Sequence, residues 1–94
     1  MSDDPFLKFR TLLEESCIFP CTYTHKFIGK NSALFQQSVS DFEKKFIGLT
    51  RTKERLSASS AHLALTYDFI AGSADEIVQL TVETRKINDL IYIL

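Results

Sequence analysis

Residues 61–70, AHLALTYDFI, place a large apolar side chain at every second position: Leu63, Leu65, Tyr67 and Phe69. Successive side chains of a strand point to opposite faces, so the stretch reads as a strand with one apolar side. Its other side, His62, Ala64, Thr66 and Asp68, is milder. A strand with that contrast belongs inside an antiparallel or mixed sheet whose apolar face is covered by helices. The remaining segments must supply that cover.

Residues 4–16 read as a short helix, with Asp4 as cap, Pro5 in the first helical position and Phe6, Phe9, Leu12 and Leu13 along one side. Phe19 and Pro20 end it and lead into a strand over residues 21–28, where Cys21, Tyr23, His25 and Phe27 make the better core face. Gly29, Lys30 and Asn31 read as a turn, and Asn31 or Ser32 can cap a second helix running to about Phe46. In that helix Phe35, Val39, Phe42 and Phe46 recur at helical spacing, and Gly48 is placed to stop it. Residues 49–56 read as a strand with Arg51, Lys53 and Arg55 in alternation, and residues 57–60 as a small polar hairpin loop. After Gly72, Ser73 and Glu76 have the spacing of a capping box for a third helix that turns Ile77, Leu80, Thr84 and Ile87 inward. Residues 90–94 close the chain as a strand.

Without the opening helix, the order is strand, helix, strand, strand, helix, strand. Two right-handed crossovers turn that order into a ferredoxin-like α+β fold, βαββαβ, with a four-stranded antiparallel sheet of order 4-1-3-2. Both crossover helices lie on one face, and the amino-terminal helix is an addition. The 94 residues are expected to form a single domain.

Eleven Lys and Arg stand against twelve Asp and Glu, a formal charge of -1, so no overall field draws the chain to nucleic acid or anionic lipid. The amino terminus is acidic, and no stretch approaches the roughly 18 apolar residues of a membrane span, which makes the cytoplasm the expected location. Cys17 and Cys21 are then expected as free thiols.

Few residues converge on chemistry. Cys17, Cys21, His25 and His62 are metal-capable, but alternation sends His25 toward the helices and His62 to the open face, so no metal site is expected. Spacing brings no serine, histidine and carboxylate together, and no cofactor is implied. Lys30, Asn31 and Ser32 at a helix start are a candidate anion contact, for which an ordinary capped turn is the simpler explanation.

Arg51, Lys53 and Arg55 could touch phosphates, although an edge strand carries such cations to block sheet-to-sheet pairing. The open-face positions Thr22, Thr24, Lys26, His62, Ala64, Thr66 and Asp68 include no aromatic for a base to stack on. Taking Leu90, Tyr92 and Leu94 to face the helices leaves Ile91 and Ile93 beside Ile28 on the open face. That apolar strip needs a cover: the opening helix, a second copy in a weak homodimer, or a protein partner or small ligand.

The chain resembles the YbeD-like family of small bacterial proteins of unknown function. The likeness is carried by Phe19, Pro20, Tyr23, Lys26, Ile28 and Gly29, and again by Lys86, Ile87, Leu90, Ile93 and Leu94. It spans about residues 12–94, with a departure where residues 57–60 are followed by Ala61 and His62 in place of the family's lysine and glycine. The resemblance implies an ACT-like regulatory fold, hence small-molecule sensing or protein contact rather than catalysis, and it carries over no catalytic residue.

Three functional readings follow, in order. The first is a non-enzymatic regulatory or protein-interaction module that could sense a small molecule. The alternative is a nucleic-acid-binding module using the basic edge strand, and the third is a small phosphate-ester or acyl-phosphate hydrolase acting at Lys30.

Overall fold

A computed structural model of the chain describes residues 5–94. Its elements run α1 (Leu7–Ser16), β1 (Cys21–Lys30), α2 (Ala33–Glu43), β2 (Leu49–Leu56), β3 (His62–Ala71), α3 (Ala74–Thr84) and β4 (Leu90–Ile93). The strands form one antiparallel sheet in the order β2-β3-β1-β4, the ferredoxin-like arrangement that the element order implies.

The register of β1 on β3 sets His25 and Phe27 on the same face as Leu63, Leu65, Tyr67 and Phe69, and all six are buried. Phe35, Val39 and Phe42 of α2 and Ala74, Ile77 and Leu80 of α3 close over that face. Phe27 stacks on Tyr67 with ring centres 5.6 Å apart and meets Phe35 and Phe42 edge-on. Such pairs contribute roughly 0.5–1.5 kcal/mol each beyond the area they bury.

Caps fix the helix starts. The Ser32 hydroxyl accepts from the Phe35 amide at 3.1 Å, and the Ser73 hydroxyl from the Glu76 amide at 3.4 Å. The Glu76 carboxylate reaches back one residue further than a standard capping box, to the Gly72 amide. The Asp4 cap foreseen for α1 lies outside the described residues, and α1 begins after Phe6 without a side-chain cap. α2 ends at Glu43, short of Phe46, and Gly48 with φ +82° turns the chain into β2.

α1 packs on α3, and among the described residues it does not cover the open face of the sheet. Leu13 enters the core cluster, Arg10 reaches Asp75 at 2.6 Å, and Arg85 lies over the Phe6 ring. Leu12, which the pattern assigned to the packed side, is exposed.

Two β-bulges correct the side-chain assignment on the outer strands. A bulge adds one residue to one strand, so every side chain beyond it changes face relative to plain alternation. In β4, Leu90 pairs with Gly29 but Tyr92 pairs with Ile28, so Ile91 is the added residue. Ile93 therefore lies opposite Phe27 and packs into the core, while Tyr92 stands half exposed on the open face. In β2, Arg51 pairs with Tyr67 but Lys53 with Thr66, so Thr52 is the added residue. Glu54 and Leu56 consequently join Arg51 on the helix-covered side, and of the three cations Lys53 and Arg55 pass to the open face.

Gly29 also has a role other than the turn foreseen for it. It lies within β1, paired with Leu63 and Leu90, and a Cβ there would overlap the buried ring of Phe35. Overpacking a close-packed core costs about 1–3 kcal/mol. Gly29→Ala is expected to lower the unfolding free energy by ~2 kcal/mol in a urea titration. An unchanged midpoint would show that Phe35 moves aside freely.

His25 is 1% exposed between Tyr23 and Phe27. The Thr84 hydroxyl donates to the Leu80 carbonyl at 2.7 Å, so it accepts from His25 Nε2–H at 2.9 Å. That leaves Nδ1 as an unprotonated acceptor with no partner. Burial pushes the His25 pKa down to about 4, from 6.5. The unfolded chain then takes up the proton at higher pH than the folded one, so stability is lost as pH falls from about 6.5 to about 4. Over that window the His25 contribution amounts to about 3 kcal/mol. Urea titrations across it should show the decline in the native chain and a shallower one in His25→Leu. Identical pH profiles would mean that His25 is not kept neutral by the fold.

Candidate functional site

The chain offers two surfaces with unspent chemistry, a cleft between α2 and β2 and the open face of the sheet. The cleft, of about 210 Å³, follows from the bulge in β2. Its floor is Phe35, Val39, Leu63 and Leu65, and its rim is polar: Asn31, Gln36, Arg51 and Glu54.

Arg51 is fixed in the wall by a network that alternation in β2 does not reveal. Its guanidinium holds Glu43 of α2 at 2.6 and 2.8 Å and lies 5.9 Å from the Tyr67 ring. The Tyr67 hydroxyl donates to the same Glu43 oxygen at 2.6 Å. Burial, reinforced by that carboxylate, raises the Tyr67 pKa, so the phenol remains a donor. Glu54 lies 3.6 Å from the other end of Arg51, leaving a cation and an anion side by side at the mouth.

The start of α2 is already served from within. Ser32 donates to the Asp89 carboxylate at 2.7 Å, so that carboxylate takes the position that a bound anion would need. Asn31 donates to the Ser60 carbonyl and accepts from Gln36. Lys30 ends β1, with its side chain exposed. The three residues are thus brought together, but as an internal tie between β1, α2 and the turn before β4.

On the open face the strand register lays out rows of side chains. Arg55, Ala64, Ile28 and Tyr92 form one row across the sheet. Lys53, Thr66 and Lys26 form the next, followed by Thr50, Asp68 and Thr24. Lys30 and His62 pair at the near end. Among the described residues, Lys26, Lys30, Lys53 and Arg55 form no ion pair. The paired cations lie on the helical side: Arg10 with Asp75, Lys45 and Lys86 with Glu83, and Arg51 with Glu43. Hydrogen bonds from Lys45 and Lys86 hold the Glu83 carboxyl below its usual range.

Plain alternation missed Tyr92 as an open-face aromatic, because its face depends on the bulge at Ile91. Of the expected apolar strip, Ile28 and Ile91 remain accessible, whereas Ile93 has turned inward. His25 and His62 stand on opposite faces, as alternation indicates. Burial, with the Cys17 side chain beside it, pushes the Cys21 thiol up, away from nucleophilic thiolate. Among the described residues no cluster of three or more metal-capable side chains occurs, and no helix is long and apolar enough to cross a membrane.

Comparison with known proteins agrees with the ferredoxin-like architecture. The solution structure of protein HP0495 from H. pylori superimposes with a TM-score of 0.63, covering 84% of this chain and 86% of that one. At 9% identity it speaks to the fold alone. UPF0250 protein PM1928 from Pasteurella multocida is 32% identical over 85 residues, 89% of this chain and 92% of that protein. The family model described as protein of unknown function (DUF493) matches residues 14–94. The chain therefore belongs to this DUF493 family, the YbeD-like group that its sequence resembles.

Proposed function

We propose that the chain is a non-enzymatic regulatory module that senses a small molecule in the cleft between α2 and β2. One observation carries this reading: an apolar floor of Phe35, Val39, Leu63 and Leu65 under a rim in which Arg51 and Glu54 present opposite charges. A small pocket that joins apolar and charged groups fits a small amphipathic ligand. At about 210 Å³ it is smaller than the pockets that hold drug-sized molecules, so the ligand has roughly ten heavy atoms or fewer. An apolar body and an anionic group would match floor and Arg51.

Arg51 also supplies a route to a response. It ties β2 to Glu43 on α2 and, through that carboxylate, to Tyr67 in the core. A ligand that draws Arg51 to itself loosens β2 from α2, giving a change that a partner protein can read.

The test is an NMR titration of the chain with a panel of small carboxylic acids and zwitterions. Binding should shift resonances of α2 and β2 selectively, vanish in Arg51→Gln and survive in Lys30→Ala. Turnover of an acyl phosphate or phosphate ester, lost in Lys30→Ala, would replace the module by an enzyme. A panel without any shift in the cleft would remove the ligand.

A further inference from the structure

We propose that the open sheet face binds single-stranded nucleic acid, with Tyr92 as a stacking platform and Lys26, Lys53 and Arg55 as phosphate contacts. The site is separate from the α2/β2 cleft, and either can fail without the other.

The first observation is a segregation of charge. The chain as a whole is slightly acidic, yet its acids Glu43, Asp75 and Glu83 are spent on cations of the helical layer. Among the described residues, Lys26, Lys53 and Arg55 on the strands of the open face, and Lys30 at its near end, form no ion pair. Asp68 is the one carboxylate in the rows described, with Thr24 donating to it at 3.4 Å. A local basic field on an otherwise balanced protein fits a polyanion.

The second observation is the aromatic that alternation denied to this face. The bulge at Ile91 brings Tyr92 out beside Ile28, half exposed and in the same row as Arg55. Between them Ala64 and Ile28 floor a shallow depression of about 130 Å³, with Arg55, Ser57 and His62 on its walls. Single-stranded binders combine a flat aromatic for a base with cations that follow the backbone, and both lie within two adjacent rows here. Neighbouring strands are about 4.8 Å apart, so Arg55 and Lys53 on β2 and Lys26 on β1 stand about 10 Å apart across the sheet.

The edges of the sheet favour a partner on the face. Both edge strands carry a bulge, at Thr52 and at Ile91, which interrupts the regular ladder that another strand would need. A partner laid across the face meets no such obstacle.

The experiment is fluorescence anisotropy of a labelled 12-nucleotide uridine RNA titrated with the full chain, repeated over a range of salt. Saturable binding is expected at low salt, weakening by roughly 20-fold to 50-fold between about 50 and 200 mM for three to four phosphate contacts. Lys53→Ala and Arg55→Ala should each make the salt dependence shallower by about one contact, whereas Tyr92→Ala should weaken binding roughly 10-fold with the salt dependence intact. Lys44→Ala, at the residue that ends α2, should change neither, and circular dichroism melts confirm that each variant is folded. No anisotropy change at low salt overturns the proposal. So does binding indifferent to Tyr92, Lys53 and Arg55, or tighter binding of a polyglutamate competitor than of the RNA, which would make the face a dock for an acidic protein.

Discussion

Phe27 is the residue on which the rest of the structure turns. It is fully buried on a central strand, stacked on Tyr67 of the neighbouring strand and touched edge-on by two phenylalanines of α2. Those contacts fix three things together: the pairing of β1 with β3, the side of the sheet that α2 covers, and the depth to which Phe35 descends onto Gly29. A slip of one residue in β1 would replace His25 and Phe27 on the core face by Lys26 and Ile28. The cost of burying Lys26 forbids it, so the aromatic cluster and the charge pattern enforce the same register.

Once the central pair is fixed, the outer strands decide what the molecule shows to others. β2 and β4 each add one residue through a bulge, and each addition re-sorts side chains between core and surface. In β2 it turns Lys53 and Arg55 out to the open face and brings Glu54 and Leu56 in beside Arg51, which joins Glu43 and Tyr67 in the wall of the cleft. In β4 it exchanges Ile93 for Tyr92 on the open face. The cleft and the basic face are thus products of two local irregularities on a regular frame.

The regular frame was legible in the sequence, because strong alternation over residues 61–70, serine caps at Ser32 and Ser73, and apolar spacing in α2 and α3 all report on local geometry. The irregularities were not. A bulge is a property of a strand against its partner, and neither Arg51, Thr52, Lys53 nor Leu90, Ile91, Tyr92 carries a glycine or proline to mark one. Gly29 was misread for a related reason: glycine signals a turn or a close approach equally, and only the position of Phe35 separates the two. Asp89, with φ +62° and its carboxylate on Ser32, likewise had no local signature pointing to α2, 57 residues away in sequence.

Side-chain parity in β4 and β2 thus decides the surfaces of the molecule more than any single contact energy does. Nuclear Overhauser contacts of the Tyr92 ring measure that parity most directly. Contacts are expected from Tyr92 to the methyl groups of Ile28, with Ile93 in contact with Phe27. Tyr92 in contact with Phe27 and Ile93 beside Ile28 would return β4 to plain alternation and remove the aromatic from the open face.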